Sequence, residues 1–579
     1  MKKTPYLILL ILVVAFVTAQ SFHSLSPLKE TTNTRYFKSY PTGAAMCTPL
    51  YLNEDPAIDI TALKGWGNFK WKISSASDSV QYYFNQGISL YYAFHSIEAI
   101  ASFTKATHLD PSCAMAWYGK ALAMGPTINY PNGYLAPTGA LEAALKSKQL
   151  AANCSPLEKD LIEAIQHRYS ADTTIAVKQL RINYADAMQK VYSEHKNNAD
   201  AATLYADALL LVHPWDLYDH DSKAKPWTPE IRKVLESAIA IAPKHPGANH
   251  YYIHTMEASA HPELALKSAH LLDTLMPQVS HITHMPSHIY IRTGDYLRGI
   301  KVNNVALAGY NSYLKTYAPV VNNEGIYELH NVHLKGNCAQ MAGNYATAAA
   351  AGKTVQKELI DGGYLVLKGA DGNYMQYIYS TPLLAAVRFG KWEEILNTPL
   401  IDTMNYASLL QHFARGVAYG RKHDLSHAQE ELKRLTLKMK DESLKLNPDN
   451  FSRAYDAALI AQNLLQGVIS EEQKQYNQAV IYYQKAVSAE DNLIYNEPRD
   501  WPIPARQYLG NALIKAGKNG KAITIFNKDL TINPNNGWSL TGLELAYQNT
   551  GNMIASKQVK ARLKDSWKIK DVKIDSPVF

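Results

Sequence analysis

The chain is 579 residues long, 47% hydrophobic and 19% charged, a composition that fits several ordinary domains or one long solenoid and excludes wholesale disorder. The formal net charge is +7, two units of which come from Lys2 and Lys3. The remainder is modest for this length and forms no basic cluster, which argues against a nucleic-acid partner.

Residues 1–19 read as an export signal: Lys2 and Lys3, an apolar run from Tyr6 to Val17, and the small residues Val17 and Ala19 before Gln20. The run is too short for a comfortable membrane span, and no later stretch is apolar enough to be one. The expectation is an exported protein, periplasmic or secreted, with no membrane span in the mature chain. Four cysteines, Cys47, Cys113, Cys154 and Cys338, contain no CxxC spacing, so neither a thiolate zinc site nor a redox pair is supported. Cys113 with Cys154 is the best candidate for a disulfide, and free buried thiols are the alternative.

Residues 20–77 carry no repeat and read as an irregular N-terminal arm. From Asp78 onward a 34-residue period sets in. Tyr83, Gly87, Ala99, Phe103, Ala106 and Pro111 form one unit, and Trp117 follows Tyr83 at the period. Such units are two antiparallel helices. Small residues let the helices approach, large ones fill the gap, and proline stops the second helix.

The pattern returns at Gly467, Tyr476, Ala479, Tyr483 and Ala486, and again at Gly510, Gly517, Ala522, Phe526 and Pro534. These positions resemble the tetratricopeptide repeat. That resemblance implies an all-α fold, an α-α superhelix or solenoid, over roughly Asp78 to Trp567. N-terminal repeats with insertions are expected over 78–245, central repeats over 246–362, and C-terminal repeats with a degenerate cap over 363–579. Phe103, Tyr483 and Phe526 are expected between helices.

Twelve of the twenty histidines lie between His213 and His333. The repeat ruler places units starting near Pro246, Ser280 and Leu329, with about fifteen extra residues between the last two. In the tetratricopeptide family, positions 2, 5, 9, 12 and 13 of the first helix line the concave groove. The resemblance therefore implies groove positions for His281 and His330, for His250, His284 and His333, for His254 and His288, and for Glu257 and Arg292.

Residues three or four apart share a helix face, so His250, His254 and Glu257 form a plausible ligand set, and His284 with His288 repeats the spacing. Tyr251 stands where a zinc-protease HExxH motif would carry glutamate. Imidazole with a carboxylate suits zinc, copper, iron or nickel, and the number of histidines leaves room for two ions. The candidate metal residues are His250, His254, Glu257, His281, His284, His288, His330 and His333.

Two proline- and aromatic-rich insertions, Met124 to Pro137 and His213 to Pro229, are long enough to fold over the groove as lids. His213, Asp216, Tyr218, Asp219 and His220 would then approach the cluster, with Trp215 and Tyr218, or Tyr130 and Tyr134, within reach of the histidines. No GxSxG elbow, phosphate loop or dinucleotide fingerprint is present. The segments HPWDLYD, HPGANHYYIH and HMPSHIYIRTGDY resemble those of a widespread group of exported or cytoplasmic bacterial tetratricopeptide proteins with no firmly assigned reaction, which implies the fold and no substrate.

The sequence thus supports a histidine-rich concave pocket for a transition metal or a small polar ligand, with metal-dependent hydrolytic or oxidative activity. The rival reading is a non-enzymatic scaffold that binds a peptide or protein in the groove, its histidines forming a structural polar network.

Overall fold

Glycines opposite aromatic rings set the spacing of the helix pairs. The ring of Phe103 lies against Gly87 in its own pair and Gly119 in the next, and Phe526 lies likewise against Gly510 and Gly542. Tyr483 packs on Gly467. A methyl group at any of these glycines would overlap the ring, so the pairs close only because the Cβ is missing. Phe103, Tyr483 and Phe526 are fully buried.

The computed structural model describes residues 60–129, 139–316 and 324–579. Among them the only β-type pairing is an isolated bridge between Tyr218 and Ala224, and the rest is helices joined by turns and a few longer irregular segments. Strong pairs are Asp78–Tyr91 with Ser96–Leu109, Asn405–Arg421 with Leu425–Lys438, Ala454–Glu472 with Tyr476–Asp491, and Ala505–Lys515 with Asn519–Ile532. Helix starts are capped by local chemistry: Asn198, Asn344 and Asn536 each accept a hydrogen bond from a backbone amide three residues on. No described helix is long and apolar enough to cross a membrane. The signal segment, Cys47, Tyr130 and Tyr134 lie outside the described residues.

Several expectations need correction. Cys113, Cys154 and Cys338 are free thiols, so the Cys113–Cys154 bridge is not formed. Burial pushes the Cys154 thiol up to about 11, helped by Glu158 and Cys113. The unit expected to begin at Leu329 has its first helix over Glu324–Met341, and the helix before it is lengthened to Tyr296–Thr316. Part of the extra sequence is therefore helix. The described end of the N-terminal arm is irregular but held in place: Ile60, Leu63, Trp66, Trp71 and Ile73 are buried, and Gln86 accepts a hydrogen bond from the Leu63 amide at 2.9 Å.

The chain also does more than stack neighbour on neighbour. Tyr296 Oη donates to the Pro534 carbonyl at 2.7 Å, across 238 positions. Asn344 Nδ2 donates to the Ile569 carbonyl at 2.7 Å across 225 positions, and Asn450 Nδ2 reaches Pro214 O at 2.9 Å across 236. In a simple solenoid each repeat touches only its neighbours. Here the C-terminal repeats return onto the central ones, and the inner face that the register marks as a groove is covered.

Candidate metal centre

Four helices carry the cluster. His250 and His254 lie one turn apart on Pro246–Met256, and Glu257 follows at its end. His281, His284 and His288 span Ser280–His284 and Pro286–Thr293, where the 3- and 4-residue spacing keeps them on one side. His330 comes from Glu324–Met341.

Six imidazoles converge in two sets of three, each through Nε2. In the first, His250 Nε2 stands 3.1 Å from His254 Nε2 and 3.0 Å from His281 Nε2. In the second, His288 Nε2 stands 2.8 Å from His284 Nε2 and 3.4 Å from His330 Nε2. All six side chains are buried. Nitrogens bound tetrahedrally at about 2.0–2.1 Å from one ion stand about 3.3 Å apart, so each triad could hold a transition metal with little adjustment.

The outer nitrogens fix which ring atoms face inward. His250 Nδ1 donates to the Tyr92 carbonyl at 2.6 Å and His254 Nδ1 to Glu257 Oε1 at 3.0 Å. His284 Nδ1 donates to Asn303 Oδ1 at 2.6 Å. The Asn303 amide is itself oriented by donation from Nδ2 to the Gly299 carbonyl. His288 Nδ1 forms an ion pair with Glu257 Oε2 at 2.9 Å. Carbonyl and carboxylate oxygens only accept, so the Nδ1 atoms of His250, His254 and His284 carry hydrogen, and each of these rings when neutral presents an Nε2 lone pair inward. Glu257 thereby joins one ligand of each triad from behind, the arrangement that orients metal-binding histidines.

Burial drives the electrostatics. It pulls His250, His281, His284 and His330 well below the usual imidazole range, and neighbouring imidazoles add to the shift. His288 is raised: burial opposes its charge, but Glu257 and Glu497 outweigh that. Burial likewise works against the Glu257 carboxylate, yet His288 and His254 hold it well below the ordinary range. Burial and the nearby Glu257 push Glu497 well above it.

His333 does not join either triad. Its ring packs edge-on against Tyr377, with centroids 5.9 Å apart, neither ring nitrogen has a hydrogen-bond partner, and burial pulls it down to about 4. The expected lid is also only partly in place. Trp215 reaches His254 edge-on at 5.5 Å between centroids, and Tyr218 Oη contacts Met256 Sδ at 3.9 Å. His213 instead stacks on Trp227 at 3.8 Å, and Asp216 pairs with Lys225 at 3.3 Å. Asp219 accepts from the Asp221 and Lys223 amides of its own turn, and His220 pairs with Asp221 at 3.2 Å. These four hold the loop together rather than reaching toward the imidazoles.

Sequence reasoning missed four participants. Phe94 lies 4.5 Å from the ring of His250 and 5.7 Å from those of His254 and His281. Asn303 orients His284, as described. Tyr495 Oη donates to Glu257 Oε2 at 2.9 Å. Glu497, fully buried, places Oε1 3.4 Å from His254 Nδ1 and 3.7 Å from His288 Nδ1. The proline-rich segment YNEPRDWPIP between two repeat helices was the available signal for the last two, being of the same kind as the two insertions already noted.

A buried histidine centre on a helical repeat scaffold is the class these features define. Residues 463–492, spanning most of the pair Ala454–Glu472 and Tyr476–Asp491, match the tetratricopeptide repeat family model; that helix pair is of the tetratricopeptide type. Among solved structures it is similar to a human IFIT1 dimer with m7Gppp-AAAA, at 13% identity over 86% of this chain and 92% of that one, with a TM-score of 0.29. It is also similar to yeast Tom70, at 13% identity over 84% and 93% of the two chains, with a TM-score of 0.32. No curated protein matches in sequence.

Proposed function

We propose that each imidazole triad holds one transition-metal ion and that the protein is a dinuclear metalloprotein with hydrolytic or oxidative activity. The observation that carries this reading is the convergence of six Nε2 atoms in two sets of three, with outer nitrogens on four rings turned to acceptors. His250 and His254 aim lone pairs at one another across 3.1 Å, a contact that repels unless a cation lies between them. In a purely structural network that cation is a proton. His288, raised by its two carboxylates, can supply one to the second triad, whereas burial disfavours one on His250 or His281 of the first.

Neutral imidazole in sets of three suits zinc, copper or iron(II), and three protein ligands leave a position open for water or substrate. Such an ion, when bound, supplies Lewis acidity and activates water. The chain's own residues do the positioning. Glu257 locks His254 and His288, Asn303 locks His284, the Tyr92 carbonyl locks His250, and Phe94 with Trp215 walls the first triad in apolar surface.

Metal analysis of protein purified without chelator tests this. The expected content is about two ions per chain, one per formed site, and less than about 0.2 ion per chain would favour the interaction scaffold.

A further inference from the structure

Beside the bridging carboxylate lies a small cavity of about 50 Å³ whose wall includes Arg292, Asn337, Glu490, Tyr495, Arg499 and Asn533. A second, smaller cavity of about 20 Å³ shares Glu490, Tyr495 and Arg499 with it and extends to Asp219 and His220 of the 213–229 insertion. We propose that the Arg292–Arg499 cavity binds a small molecule bearing anionic oxygens, a carboxylate or a phosphate, and thereby defines the substrate class of the neighbouring centre. The second half of that statement rests on the metal reading; the first does not.

The argument is one of charge and connection. Two guanidinium groups face a space whose only acidic wall residue is Glu490. Burial pushes that carboxyl up to about 7, and its Oε2 already accepts from the Ala505 amide at 2.7 Å. Arg292, in the cavity wall, gives Nε to the Glu257 carbonyl at 3.0 Å and Nη2 to the Ser259 carbonyl at 2.9 Å, contacts that hold the fork in place. Among the described residues no carboxylate forms an ion pair with it. Burial and the nearby Arg499 cation instead pull it down to about 10, a cost that an anion between the two would relieve.

Arg292 also lies over the Tyr495 ring, 5.4 Å from its centroid, and Tyr495 Oη donates to Glu257 Oε2. An anion held here stands one side chain from the carboxylate that links the two triads. Asp219 and His220, which do not reach the imidazoles, line the adjoining second cavity, so the insertion borders the anion site rather than the metal ligands.

The test is calorimetric titration of the full chain with inorganic phosphate and, separately, succinate, with metal content measured on the same samples. Saturable binding of at least one anion with a Kd below about 1 mM is expected, and the stronger of the two identifies the oxygen chemistry. Arg499→Met should weaken it at least about tenfold, as expected when a charged hydrogen-bond donor is removed, and Arg499→Lys should retain part of it. Metal content and the helical spectrum should not change, because Arg499 contacts neither triad. No saturable binding by the unaltered protein, or equal binding by Arg499→Met, would overturn the proposal. Absent metal with intact anion binding would remove the metal reading and the substrate role while leaving the anion cavity.

Discussion

His254→Ala combined with His288→Ala should abolish high-affinity metal binding at both triads while leaving the far-ultraviolet helical spectrum largely unchanged. Each substitution removes one Nε2 ligand, and together they remove both ligands that Glu257 holds from behind. Two remaining imidazoles per site make a poor high-affinity centre. The buried Glu257 carboxylate keeps Tyr495 as a donor and, without the two imidazoles that hold it ionised, is relieved by taking up a proton. A narrower companion is His330→Ala. His330 Nδ1 has no hydrogen-bond partner, so its truncation orphans little and should weaken the second triad's ion alone. His333→Ala should leave metal content unchanged, since its ring faces Tyr377. Metal retained in the double variant would contradict the assignment of both sites.

The second large effect belongs to the scaffold. Phe103→Ala should destabilise the protein by about 3–5 kcal/mol, the usual cost of removing a buried aromatic ring and leaving its cavity. The upper part of that range is expected because the site cannot collapse: Gly87 and Gly119 offer no side chain to move into the space, and Phe84 already packs edge-on at 5.5 Å. Denaturant unfolding measures it, and a loss below about 1 kcal/mol would mean that Phe103 does not set the pair spacing.

The helix pairs were legible because the glycine-to-aromatic complement is local. Gly467 and Tyr483 lie sixteen residues apart in one unit, and the ring needs that gap wherever the unit sits. Most of the imidazoles were legible for the same reason, since His250 and His254, or His284 and His288, are brought together by a single helical turn. What stayed hidden was long-range. Phe94 reaches His250 across the molecule, as the Tyr92 carbonyl does over 158 positions. Tyr495 and Glu497 arrive only because the C-terminal repeats return onto the central ones, which no period can foretell. That same return, more than the expected lids, closes the groove into a buried centre. His333 was misjudged because position in a register does not fix where a ring turns. The lid residues were misjudged because Asp216 and Asp219 satisfied nearby partners first, a common outcome for short acidic side chains in turns.

The central claim is the location of two ions. Crystals of protein purified without chelator, measured at the absorption edge of the metal that elemental analysis finds, would locate them by anomalous scattering. Two peaks are expected, one about 2.0–2.1 Å from the Nε2 atoms of His250, His254 and His281 and one at the same distance from those of His284, His288 and His330. Density at neither triad, with metal confined to a surface cluster such as Asp160, Glu194 and His195, would contradict the account and leave the histidines as a structural network.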